Sequence, residues 1–337
     1  MQKIIINSSF DSDHSATCGV ITYSIITNTS IMKNIIIIIT ALVIATPAFA
    51  QQEIILTKYT FNSMFFNPAY AGSHGWDEGS INLHYRNQWL GLEGAPTTIM
   101  AGGEINMFED RVGLGITLAQ ESIGIENRLD ISTNYAYRID LGDSHLAGGL
   151  RVGGSFYGTD VGKINAEVTP EGIYDTNINY NVFTTGVGVY FHKDDFYLGG
   201  SIPALVAIGN DPGTAYRQRH FYLHSGMMIG DEYSSIKFEP SILIKYQRAA
   251  PIQTTLGVNA WLTDGLAIGG HWRSSDALAL SVELLLEEKY RLAAAYDFTT
   301  SELRKDSNGT IELMLGYNFS TSPETQRIKN IRHGGRF

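Results

Sequence analysis

Apolar and polar residues alternate at every second position along most of the chain after residue 78. From Ser80 the apolar positions are Ile81, Leu83 and Tyr85, with polar side chains between them. A period of two places the two sets of side chains on opposite faces of a β-strand. No stretch of helix length shows a 3.6-residue period. The alternation predicts fourteen strands, at 79–90, 96–107, 111–120, 127–140, 144–158, 180–192, 195–202, 217–230, 234–248, 252–262, 265–273, 277–287, 289–299 and 309–319.

The connections between the predicted strands differ in length. Those at 142–144, 193–195 and 263–265 are tight, whereas those at 159–179 and 203–216 are long. Short turns on one side of a sheet and long loops on the other are typical of an outer-membrane barrel.

The two faces of the predicted strands favour a membrane barrel over a secreted β-sandwich, which would alternate in the same way. Aromatic side chains on the apolar face lie near strand ends, as membrane-interface girdles do, and closing the sheet removes edges that lipid would not tolerate. We therefore predict an all-β fold, an antiparallel transmembrane β-barrel of about 14 strands. The polar positions predicted to face its lumen are His84, Arg86, Gln88, Asn134, Arg138, Arg151, His220, His224, Lys237, Glu239, Lys245, His271, Arg273, Arg291 and Asp297.

The beginning of the chain indicates export. Lys33, the apolar run 35–44 and the small residues Ala48 and Ala50 are the parts of a cleavable signal peptide at 32–50, which leaves Gln51 as the new N-terminus. Residues 1–31 lack a basic region leading into an apolar core, so we interpret them as an upstream extension with Met32 as the better start. The remaining segments are an N-terminal periplasmic or lumen segment (51–78), the barrel (79–319) and a basic tail (320–337).

Composition excludes some classes of function. The formal net charge is −10, which argues against nucleic-acid binding, because that needs a basic face. The single cysteine, Cys18, lies in the part that export would remove, so the mature protein would use no disulfide and no lipid-modified cysteine. The basic tail, with Arg327, Lys329, Arg332, His333 and Arg336, is either disordered or a contact for an acidic periplasmic partner.

The sequence offers only weak candidates for a catalytic or metal-binding site. On one strand, His220 and His224 have α-carbons roughly 13 Å apart, too far for one zinc ion, and we expect them in a polar network. Ser225 points away from His224, so the two cannot act as nucleophile and base. Glu283, Glu287 and Glu288 lie near a predicted strand end and indicate a solvated rim. We therefore predict no catalytic, cofactor-binding or metal-binding residue, and a protein that is not an enzyme.

A series of short motifs resembles the PorP/SprF family of type IX secretion system membrane proteins. The motifs are NPAYAG (67–72), YRNQW (85–89), GAPT (94–97), RHFYLHSG (219–226), PSILIKY (240–246), AAP (249–251) and AYDFTTSEL (295–303). Their order and spacing cover nearly the whole mature chain. A late GsHE element of the family is only partly kept at 308–312, where the histidine is absent. The motif residues carried over are Asn67, Pro68, Ala69, Tyr70, Ala71, Gly72, Tyr85, Arg86, Gln88, Trp89, Gly94, Ala95, Pro96, Arg219, His220 and Asp297.

The resemblance implies an outer-membrane barrel that supports, without catalysis, the export or surface anchoring of cargo such as gliding adhesins with a type B C-terminal domain. It implies contact with outer-membrane lipid, with type IX secretion components and a secreted cargo protein, and with a periplasmic core or peptidoglycan-associated partner. A passive solute channel of the outer membrane is the alternative.

The NPAYAG motif predicts a fixed, nonregular entry into the barrel from the periplasmic side. Pro68 lacks an amide hydrogen and restricts Asn67 to extended conformations, and Gly72 permits a turn. We expect residues 59–72 to fold into or across the lumen, where Asn67 and Tyr70 would meet Arg86 and Gln88.

Overall fold

The computed structural model describes residues 53–73, 78–108, 110–160, 178–193, 195–209, 219–230, 234–248, 250–287 and 289–320. Within these residues, fourteen antiparallel strands form one closed barrel, in which each strand pairs with its neighbours in sequence and β1 pairs with β14. The predicted fold class is confirmed. The predicted signal peptide with its Ala50 and Gln51 cleavage site, and the basic tail from residue 321, lie outside the described residues.

Every predicted strand has a counterpart in the barrel. The strands are β1 (Glu78–Asn87), β2 (Thr97–Met107), β3 (Val112–Ile123), β4 (Glu126–Asp140), β5 (His145–Thr159), β6 (Asn179–Lys193), β7 (Phe196–Gly209), β8 (His220–Met227), β9 (Lys237–Gln247), β10 (Gln253–Thr263), β11 (Leu266–Arg273), β12 (Ala277–Leu286), β13 (Tyr290–Thr299) and β14 (Thr310–Ser320).

The alternation of burial along each strand separates the lumen from the lipid-facing surface. On β1, Asn82, His84 and Arg86 are buried while Ile81 and Leu83 are about half exposed. The polar residues predicted to face the lumen are buried, apart from Lys237, Lys245 and Arg291, which are half-buried. An apolar outer surface and a polar inner one suit a barrel in lipid, because the outer residues meet hydrocarbon.

The two ends of the barrel differ in their connections. The end at which β1 begins and β14 finishes, called the near end, has short connections such as 141–144 and 264–265. The opposite end, called the far end, has the long connections 160–178 and 300–309. In outer-membrane barrels the short turns are periplasmic and the long loops extracellular, so the far end faces outward. No helix among the described residues is both long and apolar enough to cross a membrane.

One predicted connection is wrong. Residues 203–209, expected to open a long loop, continue β7 to Gly209. Pro203 interrupts the sequence pattern, because it lies at an irregularity where the β6–β7 register shifts between Thr185 and Val187. A bulge accommodates a proline within a sheet, and beyond it Val206 to Gly209 pair again with β6.

Candidate functional site

Residues 53–73, called the lumen segment, lie inside the barrel. They form a 3-10 turn (Tyr59–Asn62), one turn of α-helix (Ser63–Phe66) and a second 3-10 turn (Pro68–Tyr70). Nearly all of the side chains from Leu56 to Ser73 are buried. Because the strands' polar faces surround it, the segment and the inner wall must satisfy each other's hydrogen bonds.

The lumen segment runs from the far end to the near end of the barrel. At the far end the Glu53 carboxylate lies 3.7 Å from the Arg128 guanidinium, close to the start of β4. At the near end Arg138 donates to the Ala71 carbonyl (3.1 Å) and to the Ser73 hydroxyl (3.2 Å). The segment therefore occupies the lumen over its length.

Four charged side chains of the wall, called the ion cluster, lie around Thr57: Arg86, Arg273, Asp297 and Glu312. The Thr57 amide donates to Glu312 Oε1 (2.7 Å), and its hydroxyl donates to Asp297 Oδ1 (2.6 Å). Arg86 pairs with Asp297 (3.2 Å) and with Glu312, while Arg273 pairs with Asp297 (3.1 Å). The four side chains are at most 3 % exposed, and Arg273 also pairs with Asp276 (2.8 Å), so each buried charge has a partner of opposite sign.

Lys58 takes part in a second group of buried ion pairs, centred on Glu283. Its ammonium lies 2.8 Å from Glu283 and donates to Asn259 (3.2 Å). Arg291 approaches the other oxygen of Glu283 at 2.7 Å. The expectation that Glu283 belongs to a solvated rim is therefore wrong: the residue lies on the inner face of β12 and is 2 % exposed, because Lys58 and Arg291 compensate its charge.

Wall side chains bind the carbonyls of the short helix. Arg151 donates from Nη1 to the Phe65 carbonyl (2.8 Å), from Nη2 to the Met64 carbonyl, and from Nε to Asn134 (2.7 Å). Ser201 donates to the Phe66 carbonyl (2.7 Å). A single turn of helix has no intrahelical partners for its last carbonyls, so the wall supplies them.

The NPAYAG motif lies where β5, β6 and β8 face the lumen. The Asn67 amide donates to the Val189 carbonyl (3.0 Å) and to His224 (3.1 Å), while its oxygen accepts from Ala69 N–H (3.0 Å) and caps the turn that Pro68 begins. Tyr70 packs edge-on against Tyr190, with ring centroids 5.3 Å apart.

The structure confirms that these residues lie in the lumen, but the expected contact of Asn67 and Tyr70 with Arg86 and Gln88 is wrong. Arg86 lies toward the far end and binds Asp297 and Glu312. Thr57, an earlier residue of the segment, lies beside Arg86's partner Asp297 instead.

Glycines of the wall let the motif approach closely. A Cβ added to Gly149 would lie 2.2 Å from the Ala69 nitrogen, and one added to Gly188 would lie 2.1 Å from Asn67 Oδ1. The neighbouring Gly148 faces outward and has nothing within 4 Å. The absence of a side chain on the inner face thus shapes the seat of the motif.

At the near end, Arg138 links the lumen segment to the β2–β3 turn. Besides Ala71 and Ser73, it binds the Asp110 carboxylate at 3.1 Å. Burial raises the pKa of Asp110, an effect that the neighbouring Arg138 guanidinium partly opposes.

The remaining motif residues lie around the far end and do not form a single site. Tyr85 faces outward, and Trp89 adopts a positive φ of 52° with its amide donating to Thr310 Oγ1 (3.1 Å). Gly94, Ala95 and Pro96 lie in the β1–β2 connection, where the Pro96 carbonyl accepts from the backbone N–H of Gln88 (2.9 Å).

The histidines have separate partners. His220 lies 2.8 Å from Gln247 Oε1, and His224 contacts Asn67, as expected for a polar network. Among the residues that the structure describes, no group of three or more His, Cys, Asp or Glu could hold a metal ion.

Sequence reasoning did not place Thr57, Lys58 or Glu312 in the lumen, although the partly kept element at 308–312 ends in Glu312. Glu312 lies on the inward face of β14, where alternation with Leu313 could have marked it. Thr57 and Lys58 precede any periodic pattern, so no signal placed them opposite the wall's charges.

Comparison with known proteins gave one family. The profile described as "Type IX secretion system membrane protein PorP/SprF" matches residues 48–317. No curated protein matches the chain.

Three similar solved structures have low identity to this chain. The outer membrane protein Omp33 of Acinetobacter baumannii is 8% identical, with 73% of this chain and 100% of that chain covered and a TM-score of 0.41. A mutant Rh. blastica porin is 9% identical, with 72% and 99% covered and a TM-score of 0.32. A bacterial polysaccharide outer membrane secretin is 10% identical, with 73% and 99% covered and a TM-score of 0.37.

Proposed function

Because this chain belongs to the PorP/SprF family of type IX secretion system membrane proteins, we propose that it supports the export or cell-surface anchoring of a secreted cargo protein. It is an outer-membrane β-barrel. Its cargo is an adhesin-like protein with a type B C-terminal domain, and its own part is binding rather than catalysis. The family match carries this proposal.

The filled lumen supports a binding role. The lumen segment is tied to the wall at both ends, through Glu53 and Ser73, and in between through the ion cluster. A barrel with a fixed segment along its axis offers its two ends and its outer surface to partners. Cargo would then meet the far end, and a periplasmic core or peptidoglycan-associated partner would meet the near end.

Deleting the gene tests the proposal. We expect surface display of one adhesin-like cargo to be lost, measured by proteolysis and immunofluorescence of intact cells, while general outer-membrane integrity is kept. Complementation with the wild-type gene is the control. Affinity purification from native membranes followed by mass spectrometry should recover the same cargo. Normal display of all type IX cargo in the deletion strain would refute the proposal.

The alternative function, a passive solute channel, makes the opposite prediction in planar bilayers. A channel needs a continuous water-filled path, whereas the lumen segment occupies this one. We therefore expect the purified protein to show almost no conductance. Steady ohmic conductance of the intact protein would favour the channel.

A further inference from the structure

Two arginines lie side by side at the far end of the barrel. His220 of β8 is paired with Gln247 of β9, and the next residues toward the far end are Arg219, just before β8, and Arg248, just after β9. Both arginines are exposed. Like charges on neighbouring strands repel each other, so this arrangement is unfavourable unless an anion lies between the two guanidinium groups.

Neither arginine is neutralised by the part of the chain that the structure describes. Arg219 donates from Nε to the Leu205 carbonyl at 2.8 Å, and no carboxylate among the described residues forms an ion pair with Arg219 or Arg248. The arginines of the lumen differ in this respect, since Arg86, for example, pairs with Asp297. The bond from Nε fixes the orientation of Arg219 and leaves its two Nη groups as donors.

The outer surface next to the two arginines marks the membrane interface. Phe221 lies opposite Tyr246, with ring centroids 5.8 Å apart, and the two side chains are 42 % and 45 % exposed on the outward face. Aromatic rings on a lipid-facing surface lie at the level of the lipid headgroups. Each arginine is two residues further toward the far end, roughly 7 Å along the strand. Toward the near end, Leu223 lies opposite Ile244 and continues the apolar outward face.

This position favours the phosphate of a lipid over other anions. The far end faces outward, and the outer leaflet of an outer membrane consists of glycolipid whose phosphates lie just above the hydrocarbon. A guanidinium group donates two parallel hydrogen bonds to a phosphate, so two such groups side by side supply donors to several of its oxygens. The acyl chains of the same lipid would follow the outward face below Phe221 and Tyr246.

We propose that Arg219 and Arg248 bind a phosphate group of an outer-leaflet glycolipid, the lipid A part of lipopolysaccharide, and that its acyl chains pack on the outward face of β8 and β9. The site requires only the barrel and its orientation, so it does not depend on the cargo proposed above. It gives the barrel one defined headgroup site in addition to its general contact with lipid.

Purified lipid A tests the site on the full-length mature protein in detergent. Native mass spectrometry measures the bound lipid at each concentration, and the matched control is the same lipid A with its phosphates removed. We expect the dephosphorylated form to bind at least tenfold more weakly, because the guanidinium groups lose their acceptor. Phosphatidylglycerol, a phosphate-bearing lipid without the sugar, should also bind more weakly than lipid A. Equal binding of the two forms of lipid A, or phosphatidylglycerol binding as strong as that of lipid A, would overturn the proposal.

Variants at the two positions assign the phosphate to this pair. The double variant Arg219→Gln with Arg248→Gln should weaken lipid A binding at least tenfold. Arg248→Lys, which breaks no hydrogen bond among the described residues, should weaken it severalfold, because lysine cannot make the bidentate contact. Arg304→Gln, at an exposed arginine of the β13–β14 connection, is the matched control and should bind as wild type. Wild-type affinity in Arg248→Lys and in the double variant, with folding checked by heat-dependent mobility on gels, would refute the assignment.

Two further measurements distinguish the lipid from a polypeptide partner. Asp211 is the acidic residue of the stretch 210–218 that precedes Arg219, and Asp211→Asn should leave lipid A affinity unchanged. A tenfold gain would mean that the chain neutralises the pair itself, which would overturn the proposal. Cargo display by the double variant on intact cells should match wild type. Lost display with lipid A binding retained would assign the arginines to an acidic polypeptide instead, whereas the gene deletion tests only the proposed function.

Discussion

Individual charged residues decide how the lumen segment is held. In the ion cluster, Arg86 is shared by Asp297 and Glu312, and Thr57 of the segment bonds to both carboxylates. Removing one partner from a buried ion pair leaves an uncompensated charge, which costs more than the pair itself contributes. Arg86 is therefore a residue on which both the wall and the segment depend.

The substitution Arg86→Met should lower the free energy of unfolding by about 3–5 kcal/mol, because Asp297 and Glu312 would keep only Arg273 as a nearby guanidinium. Urea unfolding of the purified protein, followed by tryptophan fluorescence, measures this. The control is Arg304→Met at an exposed arginine, which should change stability by less than about 0.5 kcal/mol. Similar losses in the two variants would contradict the role given to the cluster.

Gly149→Ala should destabilise the protein by about 1–3 kcal/mol, because the added Cβ would overlap the backbone at Ala69 and force the segment to shift. Gly148→Ala is the matched control one residue away, where the Cβ meets open space. Thermal unfolding of both variants in detergent provides the comparison. An unchanged melting temperature in Gly149→Ala would mean that the NPAYAG motif is not seated as the structure has it.

At the scale of elements, the lumen segment is the part of the chain that fills the barrel. Removing residues 59–72 deletes both 3-10 turns and the short helix, and single-channel conductance in planar bilayers should then rise from near zero to a steady open level. The intact protein is the control. No increase after the deletion would count against the segment as a plug.

The strands could be predicted from sequence because alternation is local, as in Ile81 to Arg86, and lipid outside reinforces it on every strand. The wall residues that contact the lumen segment could not be predicted from sequence. Many polar side chains face inward, and only the closed barrel brings particular ones next to the segment. Asn67, for example, could have contacted any of several inward polar side chains. For a similar reason Pro203 concealed the far half of β7: whether a proline fits within a strand depends on the pairing with its neighbours, and at Pro203 the β6–β7 register shifts.

At the scale of the whole molecule, the direction of the lumen segment fixes which surface its beginning reaches. Glu53 pairs with Arg128 at the far end, whereas the β4–β5 turn at 141–144 lies at the near end with the start of β1. The two positions therefore lie on opposite sides of the outer membrane.

An epitope tag inserted before Glu53 should bind antibody on intact cells. A tag at Asp143, in the β4–β5 turn, should bind only after the outer membrane is permeabilised. Immunofluorescence of both strains makes the comparison, with wild-type cargo display as the check that the barrel still functions. Detection of the Asp143 tag on intact cells would mean that the near end, not the far end, faces outward.

The crossing of the lumen before the first strand also constrains the order in which the molecule is made. The seam between β1 and β14 joins the strand that follows the lumen segment to the last strand of the chain. The segment therefore either lies in the lumen before these two strands pair, or is threaded afterwards through the closed ring. Because threading would have to displace buried contacts of a complete wall, we expect the first order, in which the sheet closes around the segment and the β1–β14 seam forms last.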